Sequence, residues 1–313
     1  MAKLIPEDLP RAVRLRAASI GSEAEHWIED LPAIVAELSG RWAFEPGQVM
    51  GGGSESLILL VTLHDGTLAT LKVGMPGVCD CANEARVLRL AAGTRYVDLY
   101  RHDPDTNALL VERLGGCLGD EGKTAREEMQ IVCDTMAQCW IPVETAQDLM
   151  TGGEKAAWLA DFIGERGRLH PGACESSTIE RALSFCEERA AAFDPAASVL
   201  VHGDGHAHNT LSTLDGTGYR LIDPDGLFAE PACDLATIMR GWNEELLGGD
   251  SVALGIARCH DLASRTGASP RAIWQWGFME RVSTGLVLHQ IGMTDEARDT
   301  LAIADRWQEV SVW

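Results

Sequence analysis

Apolar residues recur at helical spacing through "GSEAEHWIEDLPAIVAELSG". The pattern predicts helix over residues 1–40, closing at Gly40. The period then changes from helix to strand. Runs 57–63 and 67–73 read as two strands flanking Asp65-Gly66, a strong hairpin signal. "CANEARVLRLAAG" predicts a short helix stopped at Gly93. "YVDLY" and "ALLVER" predict two more strands, joined by the turn-rich "RHDPDTN". Beyond "LGG" the pattern is mainly helical. "TAREEMQIVCDTMAQCW" opens with Thr124 and Glu127, the spacing of a capping box, and "STIERALSFCEERAAAF" repeats it with Ser177 and Glu180. Short strands, "SVLV" and "YRLID", interrupt the helices, which resume from about residue 233. The clearest helix has Ser269 as N-cap and Pro270 at its first position. The reading is an α+β chain. Residues 1–115 form a small β-rich N-terminal lobe preceded by helices, and residues 116–313 a larger, mainly helical C-terminal lobe. Two-lobed chains commonly hold ligands in the cleft between their lobes.

Composition narrows the partners. The 313 residues are 46% apolar and 23% charged, enough for a proper core and unlike a disordered chain. Asp and Glu number 47 against 26 Lys and Arg, a net charge of -21. That argues against nucleic acid, whose binders need basic patches, and it suits a cationic partner. The start, "MAKLIPEDLPRAV", lacks the apolar core of a signal peptide. The apolar run "LILLV" is far too short to span a bilayer. The expected location is cytoplasmic, with the nine cysteines reduced and mostly packed as small core residues. The Cys79-x-Cys81 pair has no second such pair to complete a zinc site. Trp242, Trp274 and Trp276 read as packing residues, and Glu244-Glu245 as a solvated face.

The densest chemistry lies in "VLVHGDGHAHNTL", residues 199–211. A zinc reading would use His202, Asp204, His206 and His208, but no H-E-x-x-H helix motif accompanies them. A phosphoryl-transfer reading needs a carboxylate for the acceptor hydroxyl, oxygen ligands for magnesium and a lysine for the phosphates. Asp204 and Asn209 are five residues apart, as in H-R-D-x-x-x-x-N, and Asp223 follows fourteen residues later at the end of "YRLID". Upstream, Lys72 closes "TLATLKV", and Glu84 stands twelve residues further, on the next helix, able to pair with it. Four residue types in this order and spacing are specific to kinase chemistry, where a lone H-x-D is not.

With those residues in place, "HGDGHAHN", "IDPDG" and "CDLA" resemble the aminoglycoside phosphotransferases, which share the protein-kinase fold. "LPAIVAELSGRWAF", "DGTLATLKVGMP", "ALLVERLGG" and "IDPDGLFAEPACDLA" are similar to the streptomycin 6-kinase and hydroxyurea phosphotransferase branch. The resemblance implies Asp204 as catalytic base and Asn209 and Asp223 as Mg2+ ligands. It implies Lys72 on the α- and β-phosphates of ATP (or GTP), oriented by Glu84. Glu112–Leu114 would be the hinge that meets adenine, and Asp234, with His202, the structural support of the catalytic loop. "GGGSES", residues 51–56, is neither G-x-G-x-x-G nor a Walker A motif; it would cover phosphates through backbone N–H groups, around Ser54. The loop also departs from the branch, with His208 in place of a glutamate and Gly205 in place of a leucine. Asp225 and Glu230, following the metal aspartate, are acceptor-side candidates.

The expected activity is ATP-dependent transfer to a hydroxyl of a cationic aminocyclitol such as streptomycin, because guanidinium groups need carboxylates. The same chemistry on hydroxyurea, an amino sugar or another polyol remains open, as do a nucleotide-binding pseudokinase and a metal-dependent hydrolase. The intact Lys72, Asp204, Asn209 and Asp223 count against the pseudokinase. Expected partners are nucleotide and acceptor, with neither nucleic acid nor membrane, on a monomer or homodimer.

Overall fold

The computed structural model describes residues 8–51, 53–146 and 148–310. The chain divides into two compact units, one of Met1–Gly115 with Thr213–Thr217, the other of Gly116–Ser212 and Gly218–Trp313. No helix among the described residues is long and apolar enough to cross a membrane.

In the first unit the predicted helical stretch is two helices, α1 (Arg11–Ile20) and α2 (Ser22–Trp42), broken at Gly21 with φ 113°. The first seven residues of that stretch lie outside the described residues. α2 runs past Gly40 and closes at Ala43, whose φ is 56° and whose N–H reaches Ser39 O. Then come β1 (Phe44–Met50), β2 (Ser56–Leu63), β3 (Leu68–Gly74), α3 (Cys81–Leu90), β4 (Leu99–Asp103) and β5 (Ala108–Glu112). The strands form one antiparallel sheet in the order β1-β2-β3-β5-β4. The β2–β3 hairpin turns at Asp65-Gly66 as its sequence requires, with Leu63 N bonded to Thr67 O at 2.8 Å. β1 was not foreseen. It holds Pro46 and Gly47, which argue against a strand, but it is the sheet's edge and slips register between Pro46 and Val49, where both are tolerated. Alternate residues Leu57, Leu59 and Val61 of β2 and Ala69, Leu71 and Val73 of β3 are buried. They share a core with Trp27, Leu31, Val35 and Leu38, the apolar stripe of α2.

The second unit holds α4 (Ala125–Ala137), β6 (Met150–Thr151), α5 (Gly152–Leu169), α6 (Ser176–Ala191), β7 (Val199–Val201), β8 (Thr210–Ser212), β9 (Tyr219–Leu221) and β10 (Leu227–Ala229). α7 (Pro231–Asp234), α8 (Ala236–Arg240), α9 (Asn243–Leu247), α10 (Ser251–Thr266), α11 (Pro270–Gln290) and α12 (Thr294–Trp307) complete it. Thr124 and Glu127 form their capping box, and Ser269 caps α11 through Ala272 N. The box expected at Ser177 and Glu180 does not form. α6 starts two residues earlier with Glu175 at its N-cap, and the Ser177 hydroxyl turns to the Glu175 carboxylate. A box does form at Thr151 and Glu154, hidden in the sequence because two glycines open α5. α11 is the core element, buried on nearly every face from Ala272 to Gly285, with Trp274 and Trp276 fully enclosed. Three short strands, β6-β10-β7, form one small sheet, and β8-β9 a second. Their ends carry the loops described next.

Candidate active site

The first unit supplies a buried ion pair. Lys72, on β3, points to Glu84, on α3, with Nζ 2.7 Å from Oε2 and both side chains nearly enclosed. Asp80 caps α3 through Asn83 N and so fixes the turn that presents Glu84. Burying two charges costs more than packing apolar residues there, so the pair is hard to explain by stability alone. Glu112 ends β5, its N–H bonded to Asp98 O at 2.8 Å, and Leu114 is buried with its carbonyl taking the Arg113 Nε. Ser54 lies exposed at a bend, while Gly52 of the same glycine run lies outside the described residues.

The second unit gathers the remaining candidates. β7 runs straight into His202, whose Nε2 lies 2.9 Å from Ile222 O and whose Nδ1 accepts from Asp204 N at 3.2 Å. The proton therefore sits on Nε2. Asp234 is fully buried and accepts from His202 N at 3.0 Å, Gly203 N at 2.9 Å and Trp140 Nε1 at 2.8 Å. Gly203 needs its glycine: φ is +89°, and a Cβ would stand 2.9 Å from Asp225 Cβ. Gly205 has no room for a leucine, because Met136 occupies that space. Asn209 donates its Nδ2 to Asp204 O at 3.0 Å, an orientation that leaves its amide oxygen for another ligand. The β8–β9 hairpin carries Asp223 beside it. Thr210 pairs with Leu221, and Ile222 N bonds Asn209 O at 3.0 Å. Asp223 itself is left-handed, φ 59°, a conformation a short acidic side chain tolerates and one often found at functional sites. An amide oxygen and a carboxylate held together suit a hard cation such as Mg2+.

Around Asp204 runs a ladder of alternating charge that spacing along the chain does not reveal. Arg240 Nη2 is 2.8 Å from Asp204 Oδ1, Arg240 Nη1 is 3.5 Å from Glu280 Oε2, and Lys155 Nζ is 3.2 Å from Glu280 Oε1. His206 Nε2 stands 3.5 Å from the other Asp204 oxygen. The sequence held one signal, a Glu280-Arg281 charge pair in the middle of an apolar helix. Arg281 turns out to be a fully buried brace, bonded to Asn243 Oδ1 and Met239 O. Glu230 is engaged elsewhere: its Oε1 takes Arg189 Nη1 at 3.0 Å and Trp276 Nε1 at 2.9 Å. Glu245, expected on a solvated face, accepts from Arg258 at 2.5 Å.

Burial alone raises the Asp204 carboxyl, but the His206 hydrogen bond and the Arg240 charge outweigh it and hold it below the ordinary carboxylate range. Asp225 goes the other way, raised first by burial and then by the Asp204 charge, with Lys155 opposing. Two carboxyls with pKa values pushed apart can take different roles. Asp204 thus stays ionised and able to accept a proton throughout the neutral range. Arg240→Met removes a lowering influence, so the Asp204 pKa should rise, by about one unit or more. Arg240→Lys should restore most of the effect. A 13C titration of the aspartate carboxyls by NMR reads this directly, and an unmoved Asp204 in the Met variant would show that Arg240 does not hold its pKa down.

Residues 41–292 match the family described as aminoglycoside/hydroxyurea antibiotic resistance kinases. Streptomycin 6-kinase of Streptomyces glaucescens is 26% identical over 311 residues, 96% of this chain and 97% of that protein. Hydroxyurea phosphotransferase of Kitasatospora aureofaciens is 30% identical over 257 residues, 78% and 73% of the two chains. Among solved structures, spectinomycin phosphotransferase in complex with ADP and spectinomycin superposes with a TM-score of 0.57 at 12% identity, covering 89% of this chain and 98% of that one. That likeness shows a kinase-like fold, consistent with the β-sheet unit and the helical unit. The match to a family of kinases sets aside the metal-dependent hydrolase reading of the histidine-rich loop. Matched over most of its length, the chain belongs to the aminoglycoside/hydroxyurea antibiotic resistance kinases and is a small-molecule phosphotransferase.

Proposed function

We propose that the enzyme moves the γ-phosphoryl group of ATP to a hydroxyl of a small cationic aminocyclitol of the streptomycin class, inactivating it as an antibiotic. The observation that carries the reading is Asp204, an ionised carboxylate fixed by Arg240 and His206 on a loop that also carries Asn209. Asp204 orients the acceptor hydroxyl and takes its proton as the new O–P bond forms and the bond to the ADP oxygen breaks. Lys72, held by Glu84, binds the α- and β-phosphates, and Ser54 and its neighbours cover them through backbone N–H groups. The backbone at Glu112 and Leu114 meets the adenine. Asn209 and Asp223 would hold Mg2+, which when bound neutralises phosphate charge. We place the enzyme in the cytoplasm, where ATP is available and where nine cysteines, none in a disulfide, stay reduced.

The acceptor assignment rests on charge. Net charge is -21, and Asp225 adds a third carboxylate to the Asp204–Arg240–Glu280–Lys155 ladder. A guanidinium facing Asp225 gains a charge-assisted, often bidentate hydrogen bond. Glu230 would have to give up Arg189 and Trp276 to join it. Asp225→Asn should therefore raise the acceptor KM about tenfold, the loss of roughly one charged hydrogen bond, and leave the ATP KM unchanged. An ATP-consumption assay with streptomycin, hydroxyurea and a neutral polyol at low salt tests the reading. Better turnover of the neutral polyol would overturn it. The 30% identity to a hydroxyurea phosphotransferase favours hydroxyurea as the second candidate acceptor.

A further inference from the structure

His208 has no part in the chemistry above, and its ring lies beside Cys117. Its Nδ1 lies 3.6 Å from Cys117 Sγ, and the Cys117 thiol donates to Asp120 Oδ2 at 3.0 Å. One donor atom from each of the three lies within 4.8 Å of the others, and among the described residues no other such group of three forms. We propose that Cys117, Asp120 and His208 form a binding site for a divalent ion of the zinc class, with solvent completing a tetrahedron.

The chemistry of the donors selects the ion. Thiolate, imidazole and carboxylate together are ligands of zinc, and calcium or magnesium would not choose sulfur. The distances fit as well. Tetrahedral bonds of about 2.3 Å to sulfur and about 2.0 Å to nitrogen or oxygen place such donors roughly 3.5 Å apart. The sulfur–nitrogen separation already has that value, and the sulfur–oxygen separation needs to open by about half an ångström. Cys117 caps the 3-10 turn Leu118–Asp120 and Asp120 closes it, so the two ligands are delivered i and i+3 from one tight turn. The turn is anchored to the strand after His208. Cys117 bridges Leu211, and Ser212 N bonds Gly116 O at 3.0 Å. His208 is set from the other side, its N–H bonded to His206 Nδ1 at 3.2 Å. Gly119 makes the approach possible, since a Cβ there would come within 2.8 Å of the imidazole.

Binding replaces the thiol proton. The S–H bond breaks, a metal–sulfur bond forms, and the proton passes to solvent, without any change of oxidation state. The ion stands where the S–H···O hydrogen bond now runs. Because His208 directly precedes Asn209, an occupied site also ties the Leu118–Asp120 turn to the loop that carries the catalytic carboxylate. The assignment does not depend on the acceptor, so it survives if the streptomycin reading fails.

The test uses the full reduced chain with Zn2+ or Co2+ as probe. Equilibrium dialysis should give one tightly held ion per chain in the wild type and none in Cys117→Ser or His208→Gln. Co2+ should produce a thiolate-to-metal charge-transfer band that Cys117→Ser abolishes. Cys79→Ser/Cys81→Ser, which removes two neighbouring thiols outside the site, should keep both signals. Zn2+ should raise the Tm of the wild type and not of the two ligand variants. All three ligands are at or near the surface, so the variants should fold. A wild type that binds no ion, or a Cys117→Ser variant that keeps its stoichiometry and its band, would overturn the proposal.

Discussion

Asp204→Asn lowers kcat by about a hundredfold or more while ATP binding stays near wild type. The change is isosteric, so the loop keeps its shape, and the side chain is 36% exposed, so folding should tolerate it. On the proposed mechanism, what is lost is the acceptor of the hydroxyl proton, a role worth about 10²–10⁴ in rate. The amide also turns against its surroundings. In the wild type Arg240 and His206 both approach carboxylate oxygens. An Asn amide can face only one of them with oxygen and presents its own N–H groups to the other. Single-turnover kinetics and nucleotide titration separate the two effects. A folded variant with near-normal kcat would remove Asp204 from the mechanism.

Asp234→Ala destabilises the chain by about 3 kcal/mol or more and takes activity with it. The carboxylate is fully buried and receives His202 N, Gly203 N and Trp140 Nε1. Truncation leaves one buried and two part-buried donors with no acceptor, at about 1–3 kcal/mol for each that water does not reach. A typical domain has about 5–15 kcal/mol to lose. Trp140→Phe removes one donor and its bond together, so it should cost only about 1 kcal/mol and retain activity. Urea unfolding measures both. If Asp234→Ala unfolds within about 1 kcal/mol of wild type, the carboxylate is not the brace of the loop. Should Asp234→Ala fail to accumulate as folded protein, the Trp140→Phe value still decides, since a loss well above the single-bond figure would contradict the partition.

How much of this was legible depends on the range of the interactions. Local signals read well: the Asp65-Gly66 hairpin, the Thr124–Glu127 box and the Ser269-Pro270 start of α11 each follow from a few adjacent residues. Where local chemistry was ambiguous, the reading slipped. Pro46 and Gly47 are poor strand residues, and only the position of β1 at the sheet edge, a tertiary fact, makes the strand possible. Ser177 and Glu180 satisfy the capping spacing, yet Glu175 wins the N-cap because α6 begins at Ser176. The residues of the second unit's site that lie close in sequence were countable, since a loop and a short hairpin connect Asp204, Asn209 and Asp223. Lys155, Arg240 and Glu280 come from α5, α8 and α11, and no spacing relates them. The zinc-class donors divide the same way: Cys117 and Asp120 share a turn, while His208 reaches them from 91 residues beyond Cys117.

The charge ladder also governs how the enzyme can change over generations. Asp204, Arg240, Glu280 and Lys155 alternate in sign, so losing one member leaves its neighbours beside a charge of the wrong balance. Contacting charges of this kind couple, and their substitutions do not add. A lineage that alters Arg240 therefore meets a valley unless Glu280 changes in the same step or soon after. The four positions are expected to be inherited as a block, and drift in acceptor preference has an easier path through residues outside it.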